Sequence, residues 1–262
     1  MSYTHGHHES VLRSHRWRTV ENSAAYVAER LVPGATVLDV GCGPGTITAD
    51  IARRVAPARV VGLDASAHIV EQAALDARRV DNLEFQTGDV NALDFDDATF
   101  DVVHAHQLLQ HLSDPVIALT EMRRVCKPTG VVAARDGDYR AFTWYPENAA
   151  LEDWLDLYEA IARANGGEPD AGRHLQAWAH EAGFGDVHSG ASMWCFATPE
   201  DRAWWAGLWA DRMTNSAIAE QAEREGFAGR AELEAIAAGW RSWAADPDGW
   251  FGVPSGEIVC HP

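Results

Sequence analysis

The 262-residue chain is predicted to be an α/β protein built on a parallel sheet with helices on both faces. Three observations carry that prediction. Strand and helix patterns alternate from residue 37 to residue 135. A glycine-rich turn joins the first strand of this run to its helix. Asp39, Asp64, Asp89 and His106 all fall at the carboxyl ends of predicted strands. Alternation requires crossover helices, and these leave a ligand crevice at the strands' carboxyl ends.

The elements follow in order. VLDVGCGPGTIT (37–48) is an apolar strand bearing Asp39, a turn through Gly41, Gly43 and Gly45, and a helix with Ile47, Ile51 and Val55 on one face. RVVGLD (59–64) is a buried strand, and Ser66 caps a helix carrying Ile69, Ala73 and Ala77. LEFQTGD (83–89) and FDVVHAH (100–106) are the third and fourth strands. Asp114-Pro115 opens a helix whose buried face is Val116, Leu119, Met122 and Val125. Pro128 and Gly130 stop it before a fifth strand at 131–135.

The glycine turn favours one kind of ligand over another. Helix N-terminal N–H groups favour an anion. The dinucleotide pattern G-x-G-x-x-G is broken, because the third glycine comes one place early and Thr46 takes its position. Asp39 ahead of the loop suits a cationic group. An amino-acid end offers both charges, and S-adenosylmethionine has one.

The ordered set VLDVGCGPG, VVGLDAS, GDVNALDF, FDVVHAHQLLQHLSDP and RRVCKPTGVV, spanning 37–138, resembles the class I S-adenosylmethionine-dependent methyltransferases, particularly the ubiquinone/menaquinone-biosynthesis branch. The resemblance implies a Rossmann-like, doubly wound seven-stranded sheet with its last strand antiparallel. It implies that Gly41, Gly43 and Gly45 pack under the methionine moiety with Asp39 on the amino side. Asp64 would accept both ribose hydroxyls with Ala65 beside it, and Asp89 and Val90 would hold the adenine. His106 and Gln107 would flank the methyl group. A substrate nucleophile would attack that methyl in line, with His106 or His111 as the base where one is needed.

The division expected is a tail and lid helix over 1–31, a cofactor-binding core over 32–138, and helical insertions plus the last two strands over 139–262. In the first part, HRWRTVENSAAYVAERL (15–31) reads as an amphipathic lid helix or an ordinary packing helix, with Trp17, Arg18, Asn22 and Tyr26 as ligand contacts in the former case. In the last part, Asp136, Asp138 and Tyr139 leave the core at the site's edge. A helix is expected over 147–164, a return to the core over 172–182, and a sixth strand over 185–198. Helices near 200–225 and 229–245 precede a last strand at 256–260.

Of the 11 tryptophans only Trp17 precedes residue 140, so the C-terminal part is where an aromatic acceptor pocket is expected. Tyr139, Trp144 and Trp194 are the residues picked for contact. For most of the other tryptophans a helical core is the better reading.

Blander readings stand beside these. Asp39 can simply end a strand, and Asp64 and Asp89 can be turn or helix caps. His104, His106 and His111 invite a metal, but no carboxylate or cysteine is spaced to complete a site, and no metal is expected. A catalytically inactive S-adenosylmethionine-binding regulator or scaffold is the main alternative function, ahead of a nicotinamide oxidoreductase.

A net charge of −18, with Lys127 the only lysine, argues against nucleic acid or an anionic membrane as partner. No apolar run spans a membrane, and no signal core is seen at the N-terminus. Cys42, Cys126, Cys195 and Cys260 form no C-x-x-C pair, which suits reduced thiols. The expectation is a cytoplasmic enzyme with a small-molecule methyl acceptor, as monomer or homodimer. His5, His7 and His8 are read as a mobile tail.

Overall fold

The computed structural model describes residues 14–262; His5, His7 and His8 and the start of the expected 1–31 segment lie outside them. β1 (Val37–Val40) is buried on both faces, which is why its sequence is an apolar run and not an alternation. β2 (Val60–Asp64) and β4 (Phe100–His106) flank it in parallel, so Asp39 lies between Gly62 and His104. β3 (Leu83–Thr87) forms one edge and is half exposed.

β5 (Cys126–Gly137) pairs with β4, and then β8 (Trp250–His261) enters antiparallel. One side of β8 takes β5 and, further along, the short β6 (Thr143–Tyr145); the other takes β7 (Asp186–Phe196). The expected Rossmann-like sheet with an antiparallel last strand is therefore present, extended by β6. The chain leaves β1 toward β2 on one side and reaches β4 on the other, which opens a crevice at the strand ends.

Local signals set the helices. α3 (Thr46–Val55) follows Gly45, whose φ of 75° ends the glycine turn. Ser66 Oγ accepts the Ile69 N–H to begin α4 (Ala67–Asp76), and Asp114 does the same for Ile117 in α5 (Pro115–Val125). α7 (Ala171–Glu181) leads back to β7 and packs against β5 and β8.

The remaining helices, α6 (Ala149–Ala164), α8 (Pro199–Asn215), α9 (Ala217–Glu225) and α10 (Arg230–Ala245), form a separate aromatic core. Trp154 sits at its centre, with ring centroids 4.5 Å from Trp209 and 4.8 Å from Trp240. Phe251 of β8 reaches into the same cluster.

Several expectations change. The lid is not one helix over 15–31. Among the described residues the first helix, α1, ends at residue 16, α2 is Val20–Ser23, and a 3₁₀ turn spans Ala25–Arg30. Thr19 and Asn22 form a reciprocal cap that starts a new helix, and Ala24, at φ −136° and ψ 23°, ends it. The 200–225 helix breaks at Ser216, whose extended backbone and hydroxyl cap α9. Pro128 and Gly130 lie inside β5, because the helix ends at Val125 and the chain pairs with β4 from Cys126. The last strand spans twelve residues, since its first part pairs with β6, which period-two patterning over three residues does not reveal.

β8 also requires a glycine. A Cβ on Gly256 would lie 2.0 Å from the Gly172 carbonyl oxygen, a backbone atom that cannot rotate away. We expect Gly256→Ala to lose about 1–3 kcal/mol of stability in urea unfolding; an unchanged midpoint would mean that α7 and β8 separate freely.

Candidate functional site

The strand ends enclose a cavity of about 590 Å³, within the range of about 300–1,000 Å³ usual for small-molecule sites. Asp39, Gly41, Gly43, Asp64, Ala65, Asp89, Val90, His106, Gln107 and His111 all line it. Gly45 does not; it lies behind, where a Cβ would meet the Phe85 ring at 2.6 Å. At Gly43, with φ 53°, the nearest atom to a Cβ is His15 Nδ1 at 3.8 Å, so a side chain there would project toward the cavity.

The acids differ in how much of their bonding capacity the chain uses. Buried Asp39 accepts the Thr48 hydroxyl at 2.6 Å through Oδ2, and its Oδ1 is 2.7 Å from His104 Nδ1. Asp64 accepts the Gly43 N–H through Oδ2 and the Ser66 N–H through Oδ1, both at 3.0 Å. These bonds orient it and leave a lone pair on each oxygen. Asp89, exposed and two residues past β3, accepts the Asn91 N–H at 2.9 Å in a turn.

The other side of the cavity is cationic. Arg18 Nη1 is 3.3 Å from His106 Nδ1, and Arg135 Nη1 is 3.1 Å from His106 Nε2. A neutral imidazole has one acceptor nitrogen, so only one guanidinium donates into the ring at a time. Burial, then Arg18 and Arg135, push the His106 pKa well below its ordinary value. Burial and Arg18 push His111 down to about 3. Both rings are thus neutral at physiological pH and hold a proton poorly.

Gln107 links these groups. Its φ of 51° is a left-handed conformation uncommon outside glycine. Its N–H donates to the Arg135 carbonyl at 2.7 Å, and its Oε1 accepts from Arg18 Nη2 at 2.5 Å.

A second, smaller cavity of about 30 Å³ adjoins the first and shares His15, Arg18, Gln107 and His111 with it. Tyr139 and Trp194 line it as expected residues of the C-terminal part. Trp194 donates its indole N–H to the Asn22 carbonyl at 2.6 Å and stands edge-on to Trp17 at 5.3 Å. Trp144 lines neither cavity, because its ring stacks on Phe251 at 5.7 Å. Of the other lid residues, Tyr26 packs 6.3 Å from the His104 ring and lines neither cavity.

In place of Trp144 the second cavity has Trp204, Trp205 and Trp209, with Arg212 completing the wall. Trp205, Trp209 and Arg212 lie at i, i+4 and i+7 of α8, a spacing that could have singled them out. The three histidines discussed as ligands are split, with His104 on Asp39 and His106 between arginines. Among the described residues, Asp186, His188 and His261 instead bring ligand atoms within 4.8 Å of one another, at the β7–β8 pair.

Residues 31–196 match the family model described as a methyltransferase domain. The chain is 34% identical to the uncharacterized methyltransferase C1B3.06c of Schizosaccharomyces pombe, over 98% of this chain and 95% of the relative. It is 31% identical to the demethylmenaquinone methyltransferase of Lactococcus lactis over 58% of this chain and 66% of that one. The YcgJ structure from Bacillus subtilis superposes with a TM-score of 0.57 at 17% identity, covering 90% of this chain and 96% of that chain, and shows the likeness of fold.

Asp136, at the end of β5, holds the turn that carries His111. It is fully buried; Oδ1 accepts the Gln110 N–H at 3.2 Å, and Oδ2 has no partner. Burial pushes its pKa up to about 7, opposed by N–H groups of Gln110 and Leu109. The folded carboxyl keeps a proton that the unfolded chain releases near ~3.9. Its stabilisation is therefore complete below pH 4 and lost as pH rises through 7. Urea unfolding at pH 4.5 and 7.5 is expected to show Asp136→Asn losing about 3 kcal/mol less than the parent between those pH values; parallel losses would remove Asp136 as the source.

Proposed function

The chain belongs to the class I S-adenosylmethionine-dependent methyltransferases, and we propose that it transfers the methyl group in line to a small aromatic or apolar metabolite. The observation that carries the acceptor class is the tryptophan-walled cavity opening beside the strand-end cavity through Gln107 and His111.

The residues present fit the methyl donor. Gly43 leaves open the space that a Cβ would occupy, and the N-terminal residues Thr46 and Ile47 of α3 line the same wall, suited to a carboxylate. Asp64 has unused acceptor capacity for two ribose hydroxyls, with Ala65 alongside. Asp89 and the Val90 backbone would hold the adenine, and Asp39 would lie toward the ammonium. Bound S-adenosylmethionine supplies an already activated methyl group.

The protein's part is then placement. Gln107 and His111 wall the point where the two cavities join, and Trp17 and Trp194 stand on the second cavity's side of it. Holding two reactants in register contributes up to ~7–11 kcal/mol in favourable intramolecular cases. His106 and His111 act as neutral, orienting walls, because their low proton affinity makes them weak bases.

Calorimetric titration with S-adenosylmethionine, S-adenosylhomocysteine and NAD tests the donor site. Both adenosyl ligands are expected to bind and NAD to give no heat. Asp64→Ala is expected to weaken adenosyl binding by roughly 10- to 100-fold, as for loss of hydrogen bonds to a charged group. Equal affinity in the variant would remove Asp64 from the site.

A further inference from the structure

Asp186, His188 and His261 lie at one end of the β7–β8 pair and line neither cavity. Sheet register brings them together. Asp186 begins β7 and faces His261, which ends β8, directly across the antiparallel pair. Opposite residues of such a pair point their side chains to the same face, as do residues two apart on one strand. The three side chains therefore share one face, although α8, α9 and α10 all intervene in the chain between His188 and His261.

Their donor atoms converge accordingly. His188 Nε2 is 3.3 Å from Asp186 Oδ1. One donor atom from each of the three residues lies within 4.8 Å of the others. Ligands bound to a tetrahedral zinc at ~2.0–2.1 Å stand ~3.3 Å from one another. The His188–Asp186 pair already has that spacing. His261 has at most about 1.5 Å to close, which rotation of a half-buried ring supplies. Two imidazoles and a carboxylate are donors that suit zinc.

A cation stands beside them. Exposed Arg30 brings Nη2 to 3.5 Å from His261 Nε2. A guanidinium only donates, so this contact draws on the lone pair of a neutral His261 ring. Zinc competes for a lone pair of that ring, and the exposed Arg30 side chain can turn into water. At His188 the metal displaces the proton that Nε2 shares with Asp186. The chain's formal charge of −18 concentrates cations at its surface.

We propose that Asp186, His188 and His261 form a zinc site that clips the start of β7 to the end of β8, with solvent in the fourth position. Among the described residues β7 pairs with β8 alone, and an end held on one side opens more readily than an inner strand. The same strand carries Trp194, a wall of the second cavity. The ligands meet only in the folded sheet, so zinc bound there stabilises the fold. The methyl-transfer reading and this site do not depend on each other.

The test titrates the full chain, first stripped with a chelator, with zinc by calorimetry. One zinc per chain is expected, with a Kd below about 10 µM. At ten times Kd, zinc is expected to raise the melting temperature by about 3 °C. The Asp186 and His188 side chains are 61% and 70% exposed, so Asp186→Asn and His188→Gln are expected to melt like the parent without zinc. Changing the partner of a ligand alone costs about 10- to 100-fold in metal affinity. Asp186→Asn, His188→Gln and His261→Gln are each expected to lose at least that lower factor and the melting shift. Where His261→Gln lowers the metal-free stability, the two β7 variants carry the comparison.

His5, His7 and His8 are a competing source of imidazoles, so a variant with all three changed to Asn is expected to keep the site. Cobalt(II) in place of zinc is expected to show the visible absorption of a four- or five-coordinate ion. No zinc binding, binding unchanged in any one of the three site variants, or binding abolished by the triple Asn variant would overturn the proposal. So would the weak absorption of a six-coordinate cobalt ion. A Kd above about 10 µM with no melting shift would mean an adventitious ion only, and the site would be withdrawn.

Discussion

The pairing of β8 with three other strands is the constraint on which both cavities depend. Along one side it fixes β5 and then β6; along the other it fixes β7. Residues 255–260 thereby belong to the sheet behind the first cavity, while Phe251 belongs to the aromatic core of the helices. One continuous strand thus sets the distance between the strand ends and the tryptophan walls. Ring contacts from Phe251 to Phe142, Trp144, Trp154, Trp205, Trp240 and Trp243 transmit that position to α6, α8 and α10. Full burial of such rings contributes a few kcal/mol each, so strand pairing and apolar burial support the same arrangement.

In the polar half of the site, sheet pairing supplies buried Arg135 and Asp39 with partners. Arg135, 1% exposed, donates to Ser192 at 3.0 Å and to Glu257 at 3.2 Å, and its guanidinium lies 4.5 Å over Trp194. Glu257 faces Arg135 directly across the β5–β8 pair, so sheet register creates the ion pair. The parallel β1–β4 register likewise places Asp39 next to His104. Breaking either buried pair would strand a charge, at about 3–5 kcal/mol. The Gln107 backbone, in a conformation worth about 1–3 kcal/mol of strain, is held by bonds to Arg135 and Arg18.

How far the sequence reveals this depends on whether neighbours in space are neighbours in the chain. β1 to β5, the glycine turn and the Ser66 and Asp114 caps are written locally, and so are the acids at strand ends. The expected donor-site residues meet around one cavity for that reason, apart from Gly45, which packs beneath it. The tryptophan wall of the second cavity is not local. It joins residues from Ser14 to Val253, and which tryptophans face it depends on how α8 sits against α10 and β7. Trp144 flanks a strand end in the sequence and yet turns to Phe251, while Trp204, Trp205 and Trp209 of α8 take the wall. Arg135 reads as the last residue of an apolar strand, and it is β8 pairing that brings the Glu257 carboxylate to it. Thr19 and Asn22 show the opposite case, a local cap strong enough to divide a helix that periodicity draws as continuous.

The division of that N-terminal helix has a functional consequence. Because the chain breaks at residues 17–19, His15 and Arg18 border both cavities, while Trp17 lies on the tryptophans of the second. Thr46, at the start of α3, donates its hydroxyl to the His15 carbonyl at 3.0 Å, and Trp194 donates to the Asn22 carbonyl. The segment is therefore tied at one point to the glycine-turn helix and at another to β7. A continuous helix would present one face to one neighbour. The broken segment forms a shared partition, so a ligand that orders His15 and Arg18 in the first cavity also sets a wall of the second. Such coupling is reciprocal: whatever free energy the first ligand contributes to ordering the partition, the second also contributes toward the first.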